Sequence, residues 1–270
     1  MSGERTVHWA DLYCTSWRIG FFRAMHLPPF FMEKMALARL LVPMDICRFY
    51  ELPKVGGAVL KSGARRVLDV SSPKLLALEL ARRGVEVVAI DAWEKEIVSW
   101  RRLVDRAGTG AMFDGRLHWA VMDGRTLSFP DETFDAAYAI SSIEHIPEGG
   151  DITALQELRR VVRRGGEIYL TVPYGVEAEE QYRAESVYAG GRATERGIFY
   201  MWVYDDRALE ERFIRTRGLT LLEREPCADV FPFIEMELNA RLLPFSAAWG
   251  NFHPLIHYMV HRPGRIPRKG

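Results

Sequence analysis

Asp91 closes the stretch VLDVSSPKLLALELARRGVEVVAID, residues 67–91, and an acid so spaced after a strand-to-helix turn suits the vicinal hydroxyls of a ribose. The turn itself, Ser71-Ser72-Pro73-Lys74-Leu75, opens a helix whose first N–H groups can bind an anion, and Lys74 adds positive charge there. Glycines that would let backbone approach a ligand closely are absent from this turn. The chemistry indicated is recognition of an adenosine-containing ligand. A βαβ unit whose turn binds nothing is the alternative that these residues leave open.

The elements that must position these residues follow from periodicity. Val67, Leu68 and Val70 suit a buried parallel strand, whereas Leu75, Leu76, Leu78, Leu80 and Ala81 recur at helical spacing, with Ser72 as cap and Pro73 at the first helical position. Apolar runs predict further strands at 85–90, 117–121, 134–140, 167–172, 219–225 and 256–261. Helices are expected over 95–107, from Asp151 to a stop at Gly165-Gly166 with Arg163 and Arg164 in the last turn, and over 205–217. This alternation predicts an α/β chain: a doubly wound, mostly parallel seven-stranded sheet with ligands beyond the carboxyl ends of its strands. Residues 1–64 are expected to form an N-terminal helical cap on an α/β domain of residues 65–270, with lid insertions near 174–204 and 226–254.

Composition bounds the function. An apolar content of 48% supports a real core, and 36 basic residues balance 36 acidic ones, so no overall field draws the chain to nucleic acid. The short basic run Arg262, Arg265, Arg268 and Lys269 is expected to be solvated. Cys14, Cys47 and Cys227 are scattered and odd in number, which argues against a disulfide framework or a zinc site and fits a reducing cytoplasm. Neither a secretory leader nor a membrane span is expected. The apolar stretch around Pro28, Pro29 and Pro43 is expected to pack as core, with a peripheral membrane or oligomer contact as its alternative.

Taken together, residues 65–225 resemble the small-molecule branch of the class I S-adenosylmethionine-dependent methyltransferases, of Rossmann-like fold. The segments carrying the resemblance are VLDV with VVAID, then VMDGRTLSFPDETFDAAYAISSIEHI, then LRRVVRRGGEIYLTVP, in that order. The resemblance implies S-adenosylmethionine as cofactor, with Asp69 near the methionine amino group and Ser71, Ser72 and Lys74 in the methionine-side turn. It further implies Asp91 on the ribose and Asp123 with Gly124 at the adenine. Ala92, Trp93, Met122 and Arg125 would flank ribose and base, and Ile140 and Ser141 would close the site. The family's glycines are replaced here at Ser71, Pro73 and Leu75.

Methyl transfer needs an aligned acceptor and, for a hydroxyl, a proton acceptor, for which His145 in SSIEH is the candidate. A histidine that caps the next loop or contacts the cofactor is the other reading of His145. No metal is expected, because Ser141 stands where metal-using relatives carry an acid. Tyr174, Tyr182, Tyr188, Tyr200, Trp202 and Tyr204 are candidate walls of an acceptor pocket. The expected acceptor is a small or lipid-like molecule methylated at oxygen. A noncatalytic chain of the same fold that binds a nucleotide weakly or serves as an interaction partner is the alternative. A nicotinamide-dependent oxidoreductase would explain only the first segment, and the oligomeric state is not specified.

Overall fold

Short runs of Val, Ile and Ala alternate with amphipathic helices, and the structure, a computed structural model, describes residues 6–8, 10–11, 14, 48–106, 110–185, 193–216, 218–227 and the backbone of 255–261. In chain order the elements are α1 (Arg48–Ser62), β1 (Arg66–Val70), α2 (Leu75–Arg82), β2 (Glu86–Asp91), α3 (Glu94–Arg106), β3 (Leu117–Val121) and β4 (Phe134–Ile140). There follow α4 (Gly150–Val161), β5 (Val162–Pro173), β6 (Glu179–Arg183), β7 (Ala193–Thr194), β8 (Gly197–Val203), α5 (Asp206–Leu209), β9 (Thr220–Cys227) and β10 (Leu255–His261). Cys47, Tyr188, the proline-interrupted stretch up to residue 47, most of the 226–254 insertion and the basic run from Arg262 to Lys269 lie outside the described residues.

Seven strands form one sheet in the order β3-β2-β1-β4-β5-β10-β9. Strands β1 to β5 pair in parallel, and β10 runs antiparallel to both β5 and β9. The expected doubly wound, mostly parallel sheet is therefore present. Its order reverses between β1 and β4, the switch point where outward loops diverge and leave a crevice.

Alternation along the strands feeds two cores. Val67, Val87, Ala89, Ala136, Tyr138 and Tyr169 face α1 and α2, whose Val55, Val59, Leu76 and Leu80 complete that layer. Leu68, Val70, Ile90, Ala137, Ile168 and Leu170 face Leu155 and Leu158 of α4 and Phe213. Helix α1 thus packs directly on the sheet, in the same core as α2. The 174–204 insertion carries a small antiparallel sheet, β6-β8-β7. Among the described residues no helix is long and apolar enough to cross a membrane.

Three local expectations are corrected. Ser72 does not cap α2 and Pro73 is not its first residue: Lys74 stands at that helix boundary, and the Ser72 hydroxyl instead donates to Val70 O (3.3 Å) and accepts from Ile140 N (2.8 Å), tying β1 to β4. Helix α4 stops at Val161, so Arg163 and Arg164 do not serve its dipole; they pair with Asp135 (2.7 Å) and Glu132 (3.3 Å). The helix expected over 205–217 is the single turn α5, continued by a π-type turn at Glu210–Ile214.

Candidate functional site

Parallel strands deliver their last residues to one edge, so the three acids singled out from the sequence come to the same side of the sheet: Asp69 in β1, Asp91 ending β2, and Asp123 just past β3. Their surroundings differ. Asp69 is fully buried, accepting from Ser72 N (3.0 Å) and from the Lys74 ammonium (3.2 Å), which also donates to Ile90 O (3.1 Å). Burial pushes the Asp69 carboxyl up to about 6, while the Lys74 charge draws it back down. Tyr138, paired opposite Asp69 on β4, brings its buried hydroxyl near that carboxylate without hydrogen-bond geometry.

Asp91 is half-buried and accepts from Trp93 N (2.8 Å). Partial burial raises its carboxyl, with the Trp93 amide and the Lys74 charge opposing the rise. Among the described residues no Lys, Arg or His forms an ion pair with Asp91. Ala92 and Trp93 beside it are exposed, and Met122 N donates to Asp91 O (2.9 Å). Asp123 is occupied: Arg125 donates to it from its backbone N (2.9 Å), Nε (3.1 Å) and Nη2 (2.7 Å), holding the carboxyl below its usual range. Gly124 lies so close to β1 that a Cβ there would stand 3.0 Å from Val70 Cγ1.

The turns past β1 and β4 are built without glycine but keep glycine-like backbone. Ser71 and Ser141 have φ of 51° and 45°, a left-handed conformation that costs an L-residue about 1 kcal/mol. The amides of both are used by the sheet: Ser71 N donates to Ile90 O and Ser141 N to Thr171 O, each at 3.0 Å. Ile140 precedes Ser141 as a fully buried core residue.

His145 follows in a 3-10 turn, Ile143–His145, beneath β8. Its Nδ1 lies 2.7 Å from Tyr200 O; a carbonyl only accepts, so Nδ1 carries the proton. Burial lowers the imidazole to about 4, so it is neutral near pH 7 rather than the unperturbed histidine expected from sequence. Glu144, 1% exposed, lies 3.7 Å from His145 Nε2, and its Oε2 has no hydrogen-bond partner. Desolvation pushes that carboxyl up to about 8, which leaves it protonated at neutral pH.

Four contributors here, Glu51, Arg48, Thr171 and Tyr138, carry no local signal in the sequence. Glu51 of α1, 2% exposed, reaches across to accept from Thr171 Oγ1 (2.8 Å) and Ser141 Oγ (3.4 Å), and Arg48 pairs with it. Thr171 and Glu51 lie 120 residues apart, so no local spacing announces them. Tyr138 reads as core on an apolar strand. The aromatic residues of the insertion divide: Tyr200 contacts His145 (ring centroids 5.3 Å), whereas Tyr204 is buried against Asp151 (2.9 Å) and stacks on Trp202. Tyr174 reaches Asp206 (3.2 Å) and Tyr182 reaches Glu180 (2.7 Å), so neither joins His145.

Residues 68–170 match the family described as "Methyltransferase domain". A phosphatidylethanolamine N-methyltransferase of Cereibacter sphaeroides is 34% identical over 105 residues, which cover 39% of this chain and 49% of that protein. The chain thus spans about half the length of this curated relative, and somewhat less of a ubiquinone/menaquinone biosynthesis C-methyltransferase of Dinoroseobacter shibae (33% identical; 39% of this chain, 41% of that one). Among solved structures, a 1,6-didemethyltoxoflavin-N1-methyltransferase from Burkholderia thailandensis superposes with a TM-score of 0.53 at 17% identity, covering 93% of this chain and 89% of that one. At that identity the likeness concerns the fold alone.

Proposed function

We propose that this chain, a member of the class I S-adenosylmethionine-dependent methyltransferases by its domain match and sheet order, transfers a methyl group from S-adenosylmethionine to a small or lipid-like acceptor, at oxygen. The observation that carries the proposal is the row of acids Asp69, Asp91 and Asp123 along the ligand-binding edge of the sheet. Asp91 fits a ribose: it is half-buried, with one backbone donor and no cationic partner among the described residues. Exposed Ala92 and Trp93, with Met122, Gly124 and Arg125, would flank ribose and base. Asp123 and Asp69 fit less freely, because Arg125 and Lys74 already hold them.

S-adenosylmethionine supplies, when bound, an electrophilic methyl group on a sulfonium. The chain's own part is to align an acceptor and remove its proton. A neutral His145, its Nδ1 proton fixed on Tyr200 O, is the group assigned to take the hydroxyl proton. Glu51, Ser141 and Thr171 hold the β4 and β5 ends together beside it. The name of the phosphatidylethanolamine N-methyltransferase supports a lipid-like acceptor, and the imidazole supports oxygen, since a hydroxyl must lose a proton.

The test is formation of S-adenosylhomocysteine across a panel of phenols, catechols and phospholipid vesicles. A hydroxylated acceptor is expected to give turnover, and His145→Gln to lower kcat by about 10²–10⁴-fold while leaving donor affinity within about threefold. A second reading, weak nucleotide binding without turnover, is favoured by the Lys74–Asp69 pair in the glycine-free turn. Saturable donor binding with no product from any acceptor would select it.

A further inference from the structure

Lysine is among the residues least often buried, because removing an ammonium from water costs several kcal/mol unless partners replace the hydration shell. Lys74 is 1% exposed, and its partners are specific: the Asp69 carboxylate at 3.2 Å and the Ile90 carbonyl at 3.1 Å, one on β1 and one on β2. The ammonium therefore bridges the carboxyl ends of the two strands that flank the turn. In the sheet order β3-β2-β1, a ligand lying from Asp123 past Asp91 brings its far end over β1, and the acid there is Asp69.

We propose that Lys74 is an internal occupant of the cation subsite at Asp69, taking the position that the amino end of an adenosyl amino acid would otherwise fill. The inference rests on the adenosyl reading of the site. Two ammonium groups at one buried carboxylate repel each other, so the ligand's amino-acid end gains little until Lys74 leaves. Lys74 thus sets specificity within the site: adenosine is recognised at Asp91, and the amino-acid end is discounted.

Calorimetric titration of the full chain with S-adenosylhomocysteine and with 5′-methylthioadenosine, which lacks the amino-acid end, tests this without a variant. The proposal expects affinities within about threefold of each other. S-adenosylhomocysteine binding more than about thirtyfold tighter would overturn it while leaving the adenosyl reading intact. Binding of neither compound would remove the adenosyl reading and this inference with it.

Lys74→Met and the more conservative Lys74→Gln supply the second arm. Each is expected to tighten S-adenosylhomocysteine at least about fivefold, to leave 5′-methylthioadenosine unchanged, and to show a larger ligand-induced rise in Tm than the native chain. Equal shifts for both ligands, or weaker S-adenosylhomocysteine binding, would assign Lys74 a structural role instead.

Discussion

Glu144 and His145 are adjacent in sequence, yet their protonation is set by burial rather than by one another. Glu144 has a folded value of about 8 against an ordinary 4.5, so the stability it contributes is complete below 4.5 and is lost as pH rises through 8. His145, lowered to about 4 from 6.5, acts in the opposite sense: its contribution is present above 6.5 and is lost as pH falls through 4. Between about pH 4.5 and 6.5 the two slopes oppose each other. From 6.5 to 8 Glu144 acts alone, and the native chain is expected to lose about 2 kcal/mol of stability that Glu144→Gln does not lose. Urea unfolding of both proteins at pH 6.5 and pH 8 checks this; parallel pH profiles would contradict it. The SSIEH motif announced the imidazole, but its depressed basicity comes from the cover of β8, which no local pattern encodes.

At the scale of elements, a buried carboxylate joins the His145–Tyr200 contact in tying the insertion to the α/β layer. Asp151, at the start of α4, accepts two bonds from Arg212 (2.7 and 2.6 Å) and one from Tyr204 (2.9 Å), while the Arg212 guanidinium lies over the Trp202 ring. Asp151→Asn leaves Arg212 without its counter-ion and is expected to cost about 3 kcal/mol. Chemical denaturation measures the loss, and a change below about 0.5 kcal/mol would show that the pair does not fasten the insertion. Element types of the seven-stranded sheet were legible because its strands carry short apolar runs and its long helices a periodic face, whereas the polar β6 and the two-residue β7 of the insertion offer no such run. Two boundaries were not legible. Gly165-Gly166 looked like a helix stop, but β5 already begins at Val162, where pairing with Phe134 of β4 outweighs the helical propensity of the two arginines. Ser72 looked like a cap, but stitching β1 to β4 uses its hydroxyl instead.

Across the whole molecule, a parallel sheet whose order reverses beside β1 gathers acids from three strands at one edge, and that arrangement follows from the alternation of strands and helices in the sequence. What the sequence could not disclose was the internal cation on two of the acids. Lys74 reads as a charge offered to a ligand and proves to be a buried partner of Asp69; Arg125 reads as a flank of the base and holds Asp123. Asp91 alone among the three stands without an ion pair within the described residues. The measurement that bears most directly on the account is calorimetric binding of S-adenosylmethionine to the native chain and to Asp91→Ala. Saturable one-site binding, weakened at least about tenfold in Asp91→Ala, is the result expected. Absence of binding at millimolar ligand, or equal affinity in the two proteins, would contradict it.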